Sequence, residues 1–159
     1  VATNPIRQML LEELDLLVRT THRLIDQIEE DDWSFRPHES MRTLQELATH
    51  LVQIPATDLA ILQENDEIAI RKLEKNLTPK TREDYHRILT KGFAELTAYM
   101  DSLSEDFFIH RKTRAYYNQQ PVTQAKWLIE IITHMAHHRA QLFNYLKELK
   151  RDVTMYSLY

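Results

Sequence analysis

Apolar residues recur every three or four positions along four long stretches of the chain, a pattern that predicts four amphipathic helices. The first runs from about Pro5 to Ile28, with Ile6, Leu10, Leu14, Leu17, Val18, Leu24, Ile25 and Ile28 on one stripe and Thr21 as a small polar exception. Asn4 is placed to cap it, and Pro5 suits a first helical position. The acidic run Glu29 to Asp32 opposes the helix dipole at the C-terminus, and with Trp33 to Pro37 it predicts a stop and a connector. The second helix runs from about Met41 to Gln63, capped by Ser40, with Leu44, Leu47, Leu51, Ile54, Ile61 and Leu62 inward and Pro55 predicting a kink. A third runs from about Thr81 to Leu103 with Tyr85, Ile88, Leu89, Leu96, Tyr99, Met100 and Leu103 inward, and Thr81 with Asp84 resembles a capping box.

The fourth helix is predicted from about Pro121 to Lys150 and is apolar on two sides. Trp127, Leu128, Ile131, Met135, Leu142, Tyr145, Leu146 and Leu149 share one face, while Ile129, Ile132, Ala136, Ala140 and Phe143 form a second strip. Such a helix is central in its bundle or also packs on a partner subunit. Asn65 to Leu77 reads as a short charged helix or helical turn across the bundle end. Ser104 to Gln120 is a long connector with Phe107, Phe108, Ile109, Tyr116 and Tyr117 among Arg111, Lys112 and Arg114.

Composition narrows the class. One glycine in 159 residues disfavours hairpin-rich sheet folds and excludes glycine-rich phosphate loops. That glycine, Gly92, sits in the middle of the third helix, where it predicts either a close helix approach or open space for something bound. The length suits one domain, residues 1–159, with a real core. A net charge of −4 argues against nucleic-acid binding through a basic surface. With no cysteine there is no disulfide, thiol nucleophile or thiolate metal site, so any transition metal falls to His and carboxylate. No apolar run reaches membrane-spanning length and no signal-peptide layout is present, so the expectation is a soluble cytoplasmic protein.

Chemistry concentrates in Thr133 to Leu142, which holds three of the eight histidines. His134 and His138 are four apart and fall within the core stripe, so their rings point the same way, whereas His137 projects to the polar side with Glu130, Gln141, Asn144 and Glu148. His50 is the other histidine centred in the stripe of a long helix. Three imidazoles aimed into one core need partners for their nitrogens. One reading has them bonded to Tyr, Thr or Asp across the core. The other has His50, His134 and His138 closing on one divalent metal, and imidazole suits zinc, nickel, iron or copper. Asp58 falls on the apolar side two turns beyond His50 and reads as pocket polarity, Glu46 as outer support for His50 at most, and Gln141 and Arg139 as ties between helices.

The segment Trp33 to Pro37, the string Leu47-Ala48-Thr49-His50-Leu51 and the closing His134-x-x-x-His138-Arg139-Ala140-Gln141 together resemble the DinB-like (YfiT-like) superfamily of metal-binding four-helix bundles. The resemblance covers nearly the whole chain, with Ala140 standing where the family often has Gly. It implies an all-α four-helix bundle with long crossover connections, a homodimer, and His50, His134 and His138 as ligands of a divalent transition metal such as zinc, nickel, iron or manganese. Characterised relatives include thiol-dependent S-transferases and isomerases, in which the metal activates a low-molecular-weight thiol such as bacillithiol or mycothiol.

The expectation is therefore a metal-dependent transferase acting on a small molecule, with Gly92 and Thr21 leaving room in the core. Arg111, Lys112 and Arg114 on the connector are candidates to meet the carboxylates of an anionic cofactor. The same site could activate water for hydrolysis of a small molecule. A non-catalytic, metal-stabilised helical dimer that serves stress response or binds a partner is the third reading. No strongly basic amphipathic face supports a membrane-active role.

Overall fold

Helix ends in this chain are set by side chains that cap the free backbone amides, and the caps fix where each predicted stripe becomes a helix. The computed structural model describes residues 4–159. In chain order the helices are α1 (Pro5–Asp26), α2 (Leu44–Leu62), α3 (Glu67–Asn76), α4 (Arg82–Ser102), α5 (Glu105–His110) and α6 (Gln124–Glu148), with strands β1 (Lys112–Thr113) and β2 (Val122–Thr123) between α5 and α6. Asn4 accepts from the amides of Ile6 and Arg7, as expected for a cap before Pro5. Thr81 and Asp84 form the reciprocal capping box at the start of α4.

Two starts lie further along than the pattern suggested. Helix α2 begins at Leu44, because Thr43 and Glu46 make a complete capping box that Ser40 cannot match. Helix α6 begins at Gln124, capped by Thr123, three residues beyond Pro121. The residues ahead of it pair as an antiparallel ladder, Lys112 opposite Thr123 and Thr113 opposite Val122. This pairing divides the connector, which also holds the short α5 anchored by fully buried Phe108.

The bundle is closed by α2 packing on α4 and α6, and by α1 packing on α6 and α4. Thus α1 lies diagonal to α2, and α4 to α6, so the segments that join them cross the bundle ends. Residue pairs set the directions. Thr49 meets Tyr85, and Pro55 and Ala56 meet Gly92, so α2 and α4 run parallel. His50 meets His138, and Asp58 meets His134, so α2 and α6 run antiparallel.

Gly92 answers one question left by the sequence. A Cβ there would lie 3.0 Å from the Ala56 amide nitrogen, 3.2 Å from the Ala56 Cβ and 3.4 Å from the Pro55 Cβ. It marks close contact of α4 with α2, and the expected open space is filled by α2 itself. Thr21 is fully buried in the core, its hydroxyl without a hydrogen-bond partner. Helix α2 continues through Pro55.

Buried Arg7 and half-buried Arg82 close the ends of the bundle. Arg7 donates to the carbonyls of Met100 and Leu103, and Arg82 donates to those of Ile25 and Ile28. Both satisfy carbonyls that helix termini leave free. Arg139 joins α6 to α1 by donating to Thr20 Oγ1 at 2.8 Å. Between α1 and α4, His22 Nδ1 and His86 Nδ1 face each other at 2.6 Å, with Asp26 Oδ1 2.8 Å from His86 Nε2. On α6, Ile132, Ala136 and Phe143 of the second apolar strip pack partly on the core, while Ile129 is exposed.

Candidate metal centre

The histidines meet because α2 and α6 are antiparallel neighbours, with His50 in the second turn of one and His134 and His138 a turn apart on the other. One nitrogen from each of His50, His134 and His138 lies within 4.8 Å of the others. His50 Nε2 and His134 Nε2 are 3.2 Å apart. Among the described residues no other group of three or more His, Asp or Glu side chains converges in this way. His137 is exposed, as its place on the helix predicted.

Both candidate ligands on α6 are held from behind. Asp58 Oδ2 lies 2.9 Å from His134 Nδ1, and Gln141 Oε1 accepts from His138 Nδ1 at 2.7 Å. A proton on Nδ1 leaves Nε2 with a free lone pair. Carboxylate or amide oxygens behind imidazoles are the usual means of fixing the tautomer and ring orientation of metal-binding histidines. Asp58 was expected to supply pocket polarity, and Gln141 to tie helices together. Their partners are instead the candidate ligands. Glu46 does not support His50, because its carboxylate closes the α2 capping box and faces Arg36 at 3.7 Å. Arg139 does tie helices, as expected.

The electrostatics favour neutral imidazoles at His50 and His138. His50 is held down to about 3, first by burial and then by the charges of His138, Arg42 and His134. His138 is held down to about 4, chiefly by burial, while its bond to Gln141 acts in the opposite direction. Burial pushes the Asp58 carboxyl up, and its bond to His134 pulls it back toward the charged form. A transition-metal ion requires unprotonated imidazole nitrogens, and with His50 and His138 held neutral the donor set fits a divalent ion bound by three nitrogens with further positions open.

The connector cations lie elsewhere. The Arg111 guanidinium sits 5.6 Å over the Phe107 ring, and its carbonyl accepts from Gln124, about 15 Å along α6 from His134. The Arg114 amide donates to Glu64, about 20 Å along the α2 direction from His50. Lys112 pairs in the ladder with Thr123. The structure therefore brings the three histidines together and leaves Arg111, Lys112 and Arg114 apart from them. A different arginine stands nearer. Arg42, just ahead of α2, depresses both His50 and His138 through its charge. It lies in a loop with no periodic signal to mark it.

The sequence pattern of the DinB family matches residues 7–157, and the chain belongs to that family. Among solved structures, it is similar to a protein described as a member of the DinB family from Exiguobacterium sibiricum 255-15. That match has 28% identity and a TM-score of 0.82, covering 99% of this chain and 100% of the other. It also shares its fold with a DinB-like protein from Bacillus subtilis, at 20% identity and a TM-score of 0.69 over 93% of this chain and 96% of that one. No curated protein matches the sequence. The expected all-α DinB-like fold is therefore established, together with a three-histidine group able to hold a metal ion.

Proposed function

We propose that this protein is a metal-dependent transferase that joins the thiol of a small molecule to an electrophile, with His50, His134 and His138 as the metal ligands. The observation that carries the metal reading is the support behind the histidines of α6, where Asp58 and Gln141 hold His134 and His138. His134 Nε2 is left facing His50 Nε2 at 3.2 Å, so the two nitrogens converge where an ion would be held. The thiol is taken from the family resemblance.

A divalent ion bound there would lower the pKa of a bound thiol and so supply a nucleophile near neutral pH. The chain's own residues do the rest. Burial keeps His50 and His138 neutral, and Asp58 and Gln141 orient the rings of His134 and His138. The expected homodimer belongs to the same proposal, with the half-exposed strip of Ile129, Ile132, Ala136 and Phe143 as its contact, and sedimentation velocity measures it directly.

Metal analysis of purified protein beside His134→Ala tests the site, and equal metal content in both would end the metal reading. A conjugation assay follows, with low-molecular-weight thiols and a panel of electrophiles. Thiol-dependent turnover by metal-loaded protein is the expected result. Hydrolysis without thiol would assign the open position to water, and no turnover at all would leave a binding module.

A further inference from the structure

An unpartnered arginine near a cation site is placed to draw an anion toward it. Nearly every guanidinium in this protein is occupied. Arg7, Arg23, Arg82 and Arg139 donate to carbonyls, Arg19, Arg36, Arg71, Arg87 and Arg151 meet carboxylates, and Arg111 covers a phenyl ring. Among the described residues, the Arg42 and Arg114 side chains have neither kind of partner. Arg114 is remote from the histidines; Arg42, exposed and about two turns ahead of His50, shares a cavity lining with Gln141, the partner of His138.

The position of Arg42 is built rather than incidental. Tyr145 Oη donates to its carbonyl at 2.9 Å, which pins the loop before α2 against α6. Ser40, Met41, Arg42, Gln141 and Tyr145 line a cavity of about 420 Å³. Gln141 is also the residue that holds His138, so the cavity adjoins the histidine group through that side chain. Glu46, the carboxylate that could quench Arg42, is engaged by the Thr43 amide at 2.8 Å and by Arg36 at 3.7 Å.

We propose that Arg42 and this cavity bind the carboxylate of a small anionic substrate whose other end faces His50, His134 and His138. The proposal rests on the metal reading above and names the substrate class for it. One guanidinium forms a two-pronged hydrogen-bonded pair with one carboxylate. A phosphate monoester carries nearly twice the charge and would call for a second free cation, which the lining does not offer. The volume suits a small metabolite rather than a polymer.

The test uses full-length protein loaded with Co²⁺, whose visible spectrum reports binding at the ion. At neutral pH, 3-mercaptopropionate, 2-mercaptoethanol, cysteamine and 2-mercaptoethyl phosphate are titrated in turn. Wild type should bind 3-mercaptopropionate about tenfold more tightly than 2-mercaptoethanol, the scale of one charge-assisted pair. Arg42→Gln should bring that ratio to about one, with cobalt content and 2-mercaptoethanol affinity unchanged, and Arg42→Glu should turn the preference to cysteamine. A ratio of about one in wild type, or one retained in Arg42→Gln, would overturn the proposal. A stronger preference for the phosphate would overturn the carboxylate assignment. If cobalt binds but no thiol perturbs its spectrum, calorimetry with propionate decides: binding lost in Arg42→Gln supports the anion site while the thiol reading fails, and no binding overturns it. Failure of wild type to take up cobalt would sink the metal reading and this proposal together.

Discussion

His134 and His138 use their two ring nitrogens for different tasks, one held by the protein and one presented to the centre. Asp58→Asn keeps the shape of the residue behind His134 but removes its charge, so metal affinity should fall about 10- to 100-fold with little change in fold. Competition with a chromophoric chelator measures this, and unchanged affinity would reduce Asp58 to a packing residue. The depressed histidines also predict the acid behaviour of the metal-free protein. His138 titrates near its ordinary value when unfolded and at about 4 when folded. Its contribution is therefore complete above pH 6.5 and is lost as pH falls toward 4, because the unfolded chain takes up the proton first. In urea unfolding at pH 6.5 and 4.5, His138→Gln should lose less stability than wild type between the two. At this scale the histidines were legible, since helical period alone places His50, His134 and His138 on inward stripes. The partnership of Asp58 with His134 was not, because it depends on the direction and height at which α6 passes α2. Arg42 was less legible still, since a loop residue carries no period.

Stripes located every long helix, but side-chain hydrogen bonds decided where the helices begin. Ser40 and Thr43 both qualify as caps by residue type, and Glu46 selects Thr43 by completing the box. The β1–β2 ladder had no such signal, because a two-residue strand is too short to alternate. Gly92 is where one helix dictates the position of another. Helix propensity alone predicts that Gly92→Ala gains about 1 kcal/mol. A new Cβ 3.0 Å from the Ala56 amide nitrogen must instead push α2 away, since backbone cannot yield as a flexible side chain would. The expected outcome is a net loss of about 1–3 kcal/mol in urea unfolding. A more stable Gly92→Ala would mean that α2 and α4 are not tightly apposed there.

At the scale of the molecule, the crossings at the bundle ends make the site possible, since they leave α2 and α6 as neighbours although they are distant in the chain. An ion held by both helices would then link the middle of the chain to its last helix. Ion binding should raise the melting temperature, and chelator treatment should reverse the rise. A temperature unaffected by chelator in demonstrably loaded protein would mean that α2 and α6 are held no more firmly with the ion than without it. The opposite side of the bundle has its own joint, where His22 and His86 meet. Their ring centres are 4.9 Å apart with 2.6 Å between the two Nδ1 atoms, so the nitrogens point almost straight at each other. Only one hydrogen fits in that gap, and the Asp26 carboxylate claims the one on the far nitrogen of His86. The two rings thus share a single occupant, and a second hydrogen in that gap would set N–H against N–H across the line where α1 meets α4.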